Sequence, residues 1–368
     1  MLHIAVDGRL LAYSNSGISE YTRQLVTQMA PMLHATERLT MLHSARRARP
    51  ELGVLGVRYA RALTPPHHSL EQISLPIELA RLSARVVHSP DFIPPLHGPW
   101  RRAITVHDLA FLLYPETVTP ASREYYGQVR KAVQVADAVI SVSHHTAADI
   151  TAMLDVDPAR VHVIPNGIDP RLMPVSDPAV LGRWRATHGL DRPYILFAGT
   201  IEPRKNLPLL AEAFACLREE HDVMLVLLGA RGWLYEPTFE RIQSLGIGEH
   251  VRILEQIPRQ EWATAYSGAA VAVTPSIYEG FGLPVLEAMV CGAPVVSSDA
   301  SSLPEVVGEA GLLFRSGDRD DLVRALKRVL EDDDLRARLQ TAGHARVKEF
   351  SWQKAAAATL DVYRRIAQ

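Results

Sequence analysis

Short apolar runs alternate with stretches of helical periodicity along almost the whole chain. The apolar runs have the length of strands and are continuous, which is typical of strands buried on both faces. An alternation of strand and helix predicts right-handed crossovers and parallel sheets. In the first half, the predicted strands are Leu2–Asp7, Leu39–His43, Val57–Ala62, Arg85–His88, Ala103–His107, Ala138–Val142 and Val161–Ile164. The predicted helices between them are Ser19–Leu33, Leu70–Ala84, Ala121–Ala136 and Thr146–Leu154.

A proline-rich, helix-poor stretch interrupts this pattern. It begins at Pro165 and continues through Pro174 and Pro178, and we interpret it as a linker between two domains. The predicted strands beyond it are Tyr194–Ala198, Val223–Leu228, Val251–Leu254, Ala270–Val273, Pro294–Ser297 and Leu312–Phe314. The predicted helices beyond it are Leu207–Glu219, Pro237–Leu245, Gln260–Ser267, Pro284–Met289, Asp320–Leu330, Leu335–Lys348 and Trp352–Ile366.

The pattern predicts an α/β chain of two Rossmann-like, doubly wound domains with a cleft between them. The N-terminal domain is predicted to cover residues 1–175 and the C-terminal domain residues 176–351. Ligands of such sheets bind beyond the carboxyl ends of the strands, so the loops that follow strands are the places to look for chemistry.

The composition is that of an ordinary globular protein and excludes several classes. Its 39 basic and 41 acidic residues nearly cancel, which argues against a nucleic-acid partner held by charge. Cys216 and Cys291 lie in apolar stretches with no histidine at ligand spacing, so we expect both to be buried and predict no metal site. The chain begins without a signal peptide and has no apolar run as long as a membrane span, which predicts a cytoplasmic protein. A peripheral contact with the inner face of the membrane is compatible with that prediction.

The loop after Ala270–Val273 carries the clearest candidate chemistry. Gly280 and Gly282 permit a tight turn, and the amides of Phe281, Gly282 and Leu283 lie where a helix begins, which is a ready anion site. Glu279 in the loop and Glu287 in the helix can accept hydrogen bonds from paired sugar hydroxyls. The alternative is that Glu287 only stabilises the helix dipole and Glu279 is a solvated loop residue.

A second loop, after the strand Tyr194–Ala198, contains Gly199, Thr200, Arg204 and Lys205. Asn206 is expected to cap the helix that follows. The two cations then stand at the positive end of a helix dipole, which is unfavourable unless an anion joins them. A diphosphate is one such anion, and the alternative is two solvated surface cations.

Two features of the first half are weaker. Gly17 precedes a helix and would let a phosphate approach closely, but its loop lacks the G-x-G-x-x-G spacing of dinucleotide binders. His107 ends a predicted strand, where side chains reach the ligand in such folds. The alternative for His107 is a structural histidine at a strand end.

Together these loops resemble the retaining glycosyltransferases of the GT-B fold, in the large E-x7-E family called family four. The resemblance extends over nearly the whole chain. The segments that carry it are Gly17-Ile18, His107-Asp108, Val142-Ser143, Pro165-Asn166-Gly167-Ile168-Asp169, Gly199-Thr200, Arg204-Lys205-Asn206, Glu279-Gly280-Phe281-Gly282-Leu283-Pro284, Glu287 and Ser301-Ser302-Leu303-Pro304-Glu305.

The resemblance implies roles for these residues. Glu287 is implied to bind the ribose of a nucleotide-sugar donor, and Arg204 and Lys205 its diphosphate. Glu279 and the amides of residues 281–283 are implied to contact the transferred sugar and its phosphate. His107 is implied to contact the same sugar near its reacting carbon. Gly17, Gly199 and Thr200 complete the implied donor site. The last helix, residues 352–368, is implied to cross back to the first domain.

One departure from the family concerns the first loop. Ser19 and Glu20 stand where many relatives carry a glycine and a cation, which weakens the case for phosphate contact there. The implied chemistry needs no metal, because the cations and helix amides stabilise the charge on the leaving diphosphate. A leaving phosphate oxygen would take the acceptor's proton on the same face, and no nucleophile for a double displacement is evident.

The implied function is transfer of a hexose from a nucleoside-diphosphate sugar to a saccharide or lipid-linked acceptor, as in polysaccharide biosynthesis. The Asp7-Gly8-Arg9 opening resembles bacterial mannosyl- and rhamnosyltransferases, which favours GDP-mannose over a UDP sugar; no other cofactor is expected. The alternatives are a sugar-nucleotide epimerase, a starch-synthase-like enzyme of the same architecture, or a catalytically inactive sugar-binding subunit.

Overall fold

The computed structural model describes residues 1–13, 17–47, 53–68 and 70–368. Ser14, Asn15 and Ser16 of the first loop lie outside the described residues. The chain folds into two compact units. The first contains residues 1–113, 120–167 and 351–368, and the second contains residues 114–119 and 168–350.

The first unit is built on a parallel sheet of seven strands in the order β3-β2-β1-β4-β5-β6-β7. Its interior strands are buried, as continuous apolar runs predict. The strands are β1 Leu2–Asp7, β2 Glu37–Ser44, β3 Val57–Ala62, β4 Val86–Ser89, β5 Arg101–Val106, β6 Ala138–Ser141 and β7 Val161–Val163. The helices of this unit are α1 Gly17–Met29, α2 Glu71–Ala80, α3 Ala110–Leu113, α4 Pro120–Tyr126, α5 Val129–Val135, α6 His144–Met153 and the C-terminal helix α15 Trp352–Ile366.

The second unit is built on a parallel sheet of six strands in the order β10-β9-β8-β11-β12-β13. Every residue of β8, β9, β11 and β12 is buried. Its strands are β8 Tyr194–Ala198, β9 Met224–Leu228, β10 Val251–Leu254, β11 Val271–Thr274, β12 Val295–Ser298 and β13 Leu312–Phe314. Its helices are α7 Pro178–Thr187, α8 Leu207–Leu217, α9 Glu236–Ser244, α10 Trp262–Ser267, α11 Leu283–Val290, α12 Leu303–Val307, α13 Arg319–Glu331 and α14 Asp333–Arg346. The predicted fold of two doubly wound sheets is confirmed.

Each sheet has one point at which the strand order reverses. In the first sheet the chain moves outward from β1 through β2 to β3 and then returns to β4 on the other side of β1. In the second sheet the same reversal separates β8 from β11. Two loops that leave neighbouring strands in opposite directions open a crevice at their carboxyl ends, which is where open α/β sheets bind ligands.

The C-terminal helix α15 belongs to the first unit and packs against α1, so the predicted return of the chain is confirmed. Inside the unit, Arg364 forms an ion pair with Glu37, with 2.8 Å between Nε and Oε1. The start of α15 packs closely against Gly167, because a Cβ on Gly167 would lie 2.1 Å from the backbone nitrogen of Trp352. No helix in the described part of the chain combines the length and the apolar character needed to cross a membrane.

The structure differs from the sequence predictions at several elements. The predicted helix-poor linker extends to Pro178, but helix α7 begins at that residue. Pro178 occupies the first helical turn, where its missing N–H costs nothing. The side chain of Asp177 caps the helix by accepting a hydrogen bond from the amide of Ala179. The single helix predicted for residues 121–136 is interrupted at Gly127. Cys216 is exposed rather than buried, because it lies on the outer face of α8, whereas Cys291 is buried. The prediction placed the boundary between the domains at residue 175, whereas in the structure the chain passes from the first unit to the second after Gly167.

We predict that Gly167→Ala destabilises the protein. The new methyl group would overlap the backbone of Trp352, and overpacking of this kind costs about 1–3 kcal/mol in the free energy of unfolding. Urea denaturation measures it. The matched control is Gly182→Ala in α7, where a Cβ meets nothing within 4 Å and a helical alanine should leave stability unchanged or raise it by up to about 1 kcal/mol. Equal stability of both variants would show that the approach of Gly167 to Trp352 is not a constraint.

Candidate active site

The strongest candidate site lies at the reversal of strand order in the second unit. The loop after β8 carries Arg204 and Lys205, and the loop after β11 carries Glu279. Because β8 and β11 are hydrogen-bonded neighbours, the two loops emerge side by side. Predicted residues that are 75 positions apart in the sequence, Arg204 and Glu279, are therefore brought into direct contact.

Arg204 and Lys205 both bind the carboxylate of Glu279. Lys205 Nζ donates to Glu279 Oε1 over 2.6 Å, and Arg204 Nη1 donates to Oε2 over 2.8 Å. Ser276 Oγ donates to Oε1 over 2.7 Å. Arg204 Nη2 also donates to Glu202 over 2.7 Å. Two carboxylates of the protein, Glu279 and Glu202, thus supply negative charge beside these cations.

The electrostatics of Glu279 follow from this arrangement. Burial alone would raise the pKa of its carboxyl, but the charges of Lys205 and Arg204 and the hydrogen bonds from Lys205 and Ser276 outweigh burial and lower the pKa to about 2. Glu279 is 6% exposed, so the alternative of a solvated loop residue is wrong. At neutral pH it is a buried, ionised and hydrogen-bonded carboxylate.

The loop around Glu279 is held by serines that the sequence reasoning did not assign. Ser302 Oγ donates to the carbonyl oxygens of Glu279 and Phe281, over 2.8 and 2.9 Å. The amide of Glu279 donates to Ser301 Oγ over 2.7 Å. Gly282 has a φ of 112°, a conformation that favours glycine, and α11 begins at the next residue. The amides of Phe281, Gly282 and Leu283 therefore lie at a helix N-terminus, as predicted, with Phe281 itself buried against Phe350.

Glu287 forms a second cluster on α11. Arg259 donates hydrogen bonds to its carboxylate from both terminal nitrogens, with 3.2 Å between Nη1 and Oε2 and a shorter contact from Nη2 to Oε1. Tyr266 donates its hydroxyl to Oε2 over 3.0 Å. Burial lowers the pKa of the Arg259 guanidinium, but the charge of Glu287, its hydrogen bond and the other nearby acidic groups together outweigh burial, so the net shift is upward. A carboxylate tied to a cation in this way does more than stabilise the dipole of its helix.

Other predicted donor-binding residues lie in the same loops or in the first unit. Gly199 directly follows β8 with a φ of 148°, and the exposed Thr200 comes next. Asn206 occupies the position before α8 but has left-handed backbone angles and makes no capping bond with its side chain, so the predicted side-chain cap is wrong. Gly17 is the first residue of α1, and a Cβ there would meet nothing within 4 Å.

His107 lies directly after β5 in the first unit. Its Nε2 is 2.9 Å from the carbonyl oxygen of Pro90, which can only accept, so Nε2 carries the proton. Burial lowers the pKa of its ring, with Asp91 opposing that shift, and the ring meets Tyr21 edge-on at 4.9 Å between centroids. A neutral His107 keeps Nδ1 as an acceptor. Its predicted contact with the transferred sugar remains a prediction.

Sequence reasoning missed Glu202, Ser276, Arg259 and Tyr266. Arg259 and Tyr266 both bind Glu287 of α11, which is 28 and 21 residues away in the sequence. No local sequence pattern predicts such pairs. In the described part of the chain, Glu220, His221 and Glu331 approach one another closely enough to share an ion. His221 precedes β9, at the amino edge of the sheet, so this group is not part of the loops described above.

Comparison with known proteins places this chain in a class of fold and then in a family. The whole chain has the GT-B fold: it superposes on sucrose-phosphate synthase from Thermosynechococcus elongatus with a TM-score of 0.78 over 99% of each chain, at 23% sequence identity. The family described as Glycosyltransferase Family 4 matches residues 15–172, and the family described as Glycosyl transferases group 1 matches residues 182–346. The chain belongs to these family-four, group 1 glycosyltransferases.

Two relatives are similar over most of this chain. O-antigen chain mannosyltransferase B of Escherichia coli is 32% identical over 76% of this chain and 74% of its own length. MMP alpha-(1->4)-mannosyltransferase of Mycolicibacterium hassiacum is 37% identical over 66% of this chain, and the match covers 58% of that protein. The resemblance inferred from the loops is confirmed, and the chain is a glycosyltransferase.

We predict that Glu279→Gln lowers the free energy of unfolding by about 3 kcal/mol at pH 7, because it leaves the buried Lys205 and the partly buried Arg204 without their shared carboxylate. The stabilisation by a carboxyl whose pKa is lowered on folding is present above its ordinary pKa of 4.5 and is lost as pH falls towards about 2. The difference between wild type and variant should therefore shrink over that window. Urea denaturation at pH 7, 4 and 3 measures it.

The matched control is Glu212→Gln, which breaks a more exposed pair with Arg241 in the same unit. We expect it to change stability by less than about 1 kcal/mol. A Glu279→Gln variant as stable as this control at pH 7 would contradict the assigned electrostatics.

Proposed function

We propose that this protein transfers mannose from GDP-mannose to a saccharide or lipid-linked acceptor, with retention of configuration and without a metal ion. The observation that carries the proposal is the convergence of Arg204 and Lys205 on Glu279 beside the N-terminus of α11. Two cations and a helix terminus at the carboxyl edge of a doubly wound sheet form a site suited to a diphosphate.

The cations are held in place before the donor arrives. Glu202 and Glu279 fix Arg204, and Glu279 fixes Lys205, so neither cation has to be reorganised as negative charge develops on the leaving diphosphate. Preorganised charges of this kind stabilise a transition state more effectively than mobile ones. Lys205 has three N–H donors, and among the described residues its one hydrogen bond goes to Glu279, so it can also bind a phosphate oxygen. In this way Arg204 and Lys205 would neutralise the negative charge that a divalent cation neutralises in metal-dependent enzymes.

The bonding of Glu279 supports retention through attack on one face. A double displacement needs a carboxylate that can attack the anomeric carbon. Both oxygens of Glu279 already accept hydrogen bonds, two at Oε1 and one at Oε2, and its pKa of about 2 reflects a strongly stabilised anion. Such a carboxylate is a weak nucleophile. A leaving phosphate oxygen is then the base that takes the proton of the acceptor hydroxyl.

Glu287 is proposed to bind the hydroxyls of the donor ribose. Arg259 and Tyr266 orient its carboxylate through hydrogen bonds. A carboxylate has about four lone-pair positions, and the three protein hydrogen bonds leave acceptor capacity for a hydroxyl.

Mannose is favoured as the transferred sugar because both relatives described above are named as mannosyltransferases. The acceptor class follows the name of the E. coli relative, which acts on an O-antigen chain. GDP is proposed as the carrier on the strength of the Asp7-Gly8-Arg9 opening, and a UDP sugar is the competing donor.

The proposal is tested by incubating the purified chain with labelled GDP-mannose or UDP-glucose, with and without a mannose-terminated acceptor. We expect slow release of GDP without acceptor, faster release with it, and equal rates in EDTA. NMR of the product should show the α configuration of the donor. Loss of turnover in EDTA that manganese restores would overturn metal independence. An epimerised nucleotide sugar would indicate an epimerase, and no turnover of either donor would indicate a binding subunit.

We predict that Glu287→Gln weakens GDP binding by about 10- to 100-fold, since loss of a charged acceptor from a ribose hydroxyl costs about 1.5–3 kcal/mol. Calorimetric titration measures the affinity, and the melting temperature of the variant shows whether loss of the Arg259 pair has unfolded the unit. Glu212→Gln serves as the control for loss of one negative charge and should bind GDP as the wild type does. Unchanged affinity in Glu287→Gln would remove Glu287 from the donor site.

A further inference from the structure

Helix α2 of the first unit is apolar on the side that points away from the sheet. Leu70, which directly precedes the helix, is 56% exposed, and Ile73 and Ile77 are 66% and 59% exposed. Ala80, one turn further on, is also exposed. Spacings of three, four and three residues place these four residues, the apolar stripe, on one side of the helix. The opposite side, which includes Leu79, packs into the core, so α2 is apolar on both sides.

The two acidic residues of α2 are engaged by neighbouring groups of the same unit. Glu71 is buried and contacts Arg9. Glu78 accepts hydrogen bonds from the amides of Leu63 and Thr64, over 2.7 and 3.0 Å. A surface helix of a globular protein ordinarily presents charged residues to solvent opposite its apolar side. In α2 the side that faces solvent is the apolar stripe instead.

Arginines lie at both ends of the apolar stripe. Residues 45–85 contain seven arginines and three glutamates, although the whole chain has a formal net charge of −2. Arg46 donates from Nε to the carbonyl oxygen of Leu63 over 3.1 Å, and Leu63 is itself 68% exposed. At the other end, Arg81 directly follows α2 and is exposed, as is Arg58 at the start of the edge strand β3. The apolar stripe therefore lies in a basic surface.

This positive charge is not neutralised by the described residues around it. Within the described part of the chain, Arg46, Arg58 and Arg81 form no ion pair. By contrast, Arg241 and Arg324 on the surface of the second unit each pair with a carboxylate. An exposed apolar side of a helix with unpaired cations at its ends indicates a partner that is both apolar and anionic.

A second copy of the chain does not fit this description. Each partner in a stable dimer buries about 800 Å², whereas ten residues of helix extend only about 15 Å and offer a single narrow stripe. Two copies would also bring their unpaired arginines together, and like charges repel. A bilayer with anionic headgroups has neither limitation, because its phosphates attract the arginines while its acyl boundary accepts the apolar side chains.

We propose that the apolar stripe of α2 docks this protein on the surface of a bilayer that contains anionic lipids. The helix lies along the surface, with Ile73 and Ile77 in the boundary between headgroups and acyl chains and the arginines against headgroup phosphates. Each contribution is modest alone, so stable docking depends on both the apolar stripe and the positive charge. The inference rests on the surface of the first unit and does not depend on the proposed transfer reaction.

The proposal is tested by flotation of the full chain with vesicles of phosphatidylcholine, either alone or mixed with phosphatidylglycerol. The wild type should float with the mixed vesicles at low salt, and high salt should weaken binding by screening the headgroup contacts. Ile77→Ser should weaken binding by about tenfold, because one apolar side chain no longer enters the bilayer. Arg81→Gln should weaken it by about fivefold. Both side chains are exposed, so the melting temperatures should equal that of the wild type.

The matched controls are Leu313→Ser and Arg338→Gln in the second unit. Leu313 is 40% exposed on β13, and Arg338 is exposed on α14. Both controls should bind the mixed vesicles as the wild type does. Absence of binding to mixed vesicles, equal binding to neutral ones, or wild-type binding by either Ile77→Ser or Arg81→Gln would overturn the proposal. A dimer that forms without lipid and that Ile77→Ser dissociates would also overturn it, because the stripe would then be an interface between copies.

Discussion

A buried carboxylate shared by two cations determines the geometry of the carboxyl edge of the second unit's sheet. Burial of Glu279 would be unfavourable by itself, and Arg204 and Lys205 would be unfavourable together at the start of a helix. Each charge is acceptable because the other two are present. The arrangement also joins two loops, since the amide of Ile277 donates to the carbonyl oxygen of Arg204 and Arg204 donates to that of Tyr278. The loops after β8 and β11 therefore behave as one rigid element, which is what preorganised charge stabilisation requires.

The two units have the same reversal of strand order, but the polar groups beside it differ. In each sheet the strand order reverses once, and in each unit buried polar residues lie at or just after the ends of the two strands at the reversal. In the second unit those loops present cations and helix amides, which suit an anion. In the first unit the cation Arg9 is bound by Asp7, Glu71 and two backbone carbonyl oxygens. The shared fold accounts for where these polar groups lie, and the side chains account for the difference between them.

The sequence predicted the strands well because strands of a buried parallel sheet are continuous apolar runs. β1, β3, β8, β10 and β13 have the predicted bounds, and the other strands differ by one to a few residues at their ends. The misses have local causes. Pro178 was taken as part of a linker although proline also begins helices, and the five-residue helix α12 is too short to show a period. Asn206 has the residue type of a cap, but its left-handed backbone directs the side chain elsewhere.

The site was less predictable than the fold. The resemblance selected Arg204, Lys205, Glu279 and Glu287, yet it did not reveal that the first three bind one another. Arg204 and Glu279 are 75 positions apart, and their contact depends on β8 and β11 being neighbours, which is a property of the whole sheet. For the same reason the anion beside the cations was expected to be a diphosphate alone. The structure adds Glu202 and Glu279, so a diphosphate bound here would share cations that the protein already neutralises.

The C-terminal helix has a physical reason to belong to the first unit. The hydroxyl of Tyr363 on α15 contacts Nδ1 of His88 in the centre of the sheet, and Nε2 of His88 is 2.8 Å from Oγ1 of Thr105. Thr105 in turn bonds the hydroxyl of Tyr21, over 2.9 Å, and the ring of Tyr21 meets His107. Burial lowers the pKa of His88 to about 3, so this histidine is neutral and can accept at one nitrogen while it donates at the other. Without α15, Nδ1 of His88 would be a buried nitrogen without its partner. The last helix therefore completes a polar network that begins at Tyr363 and ends against His107.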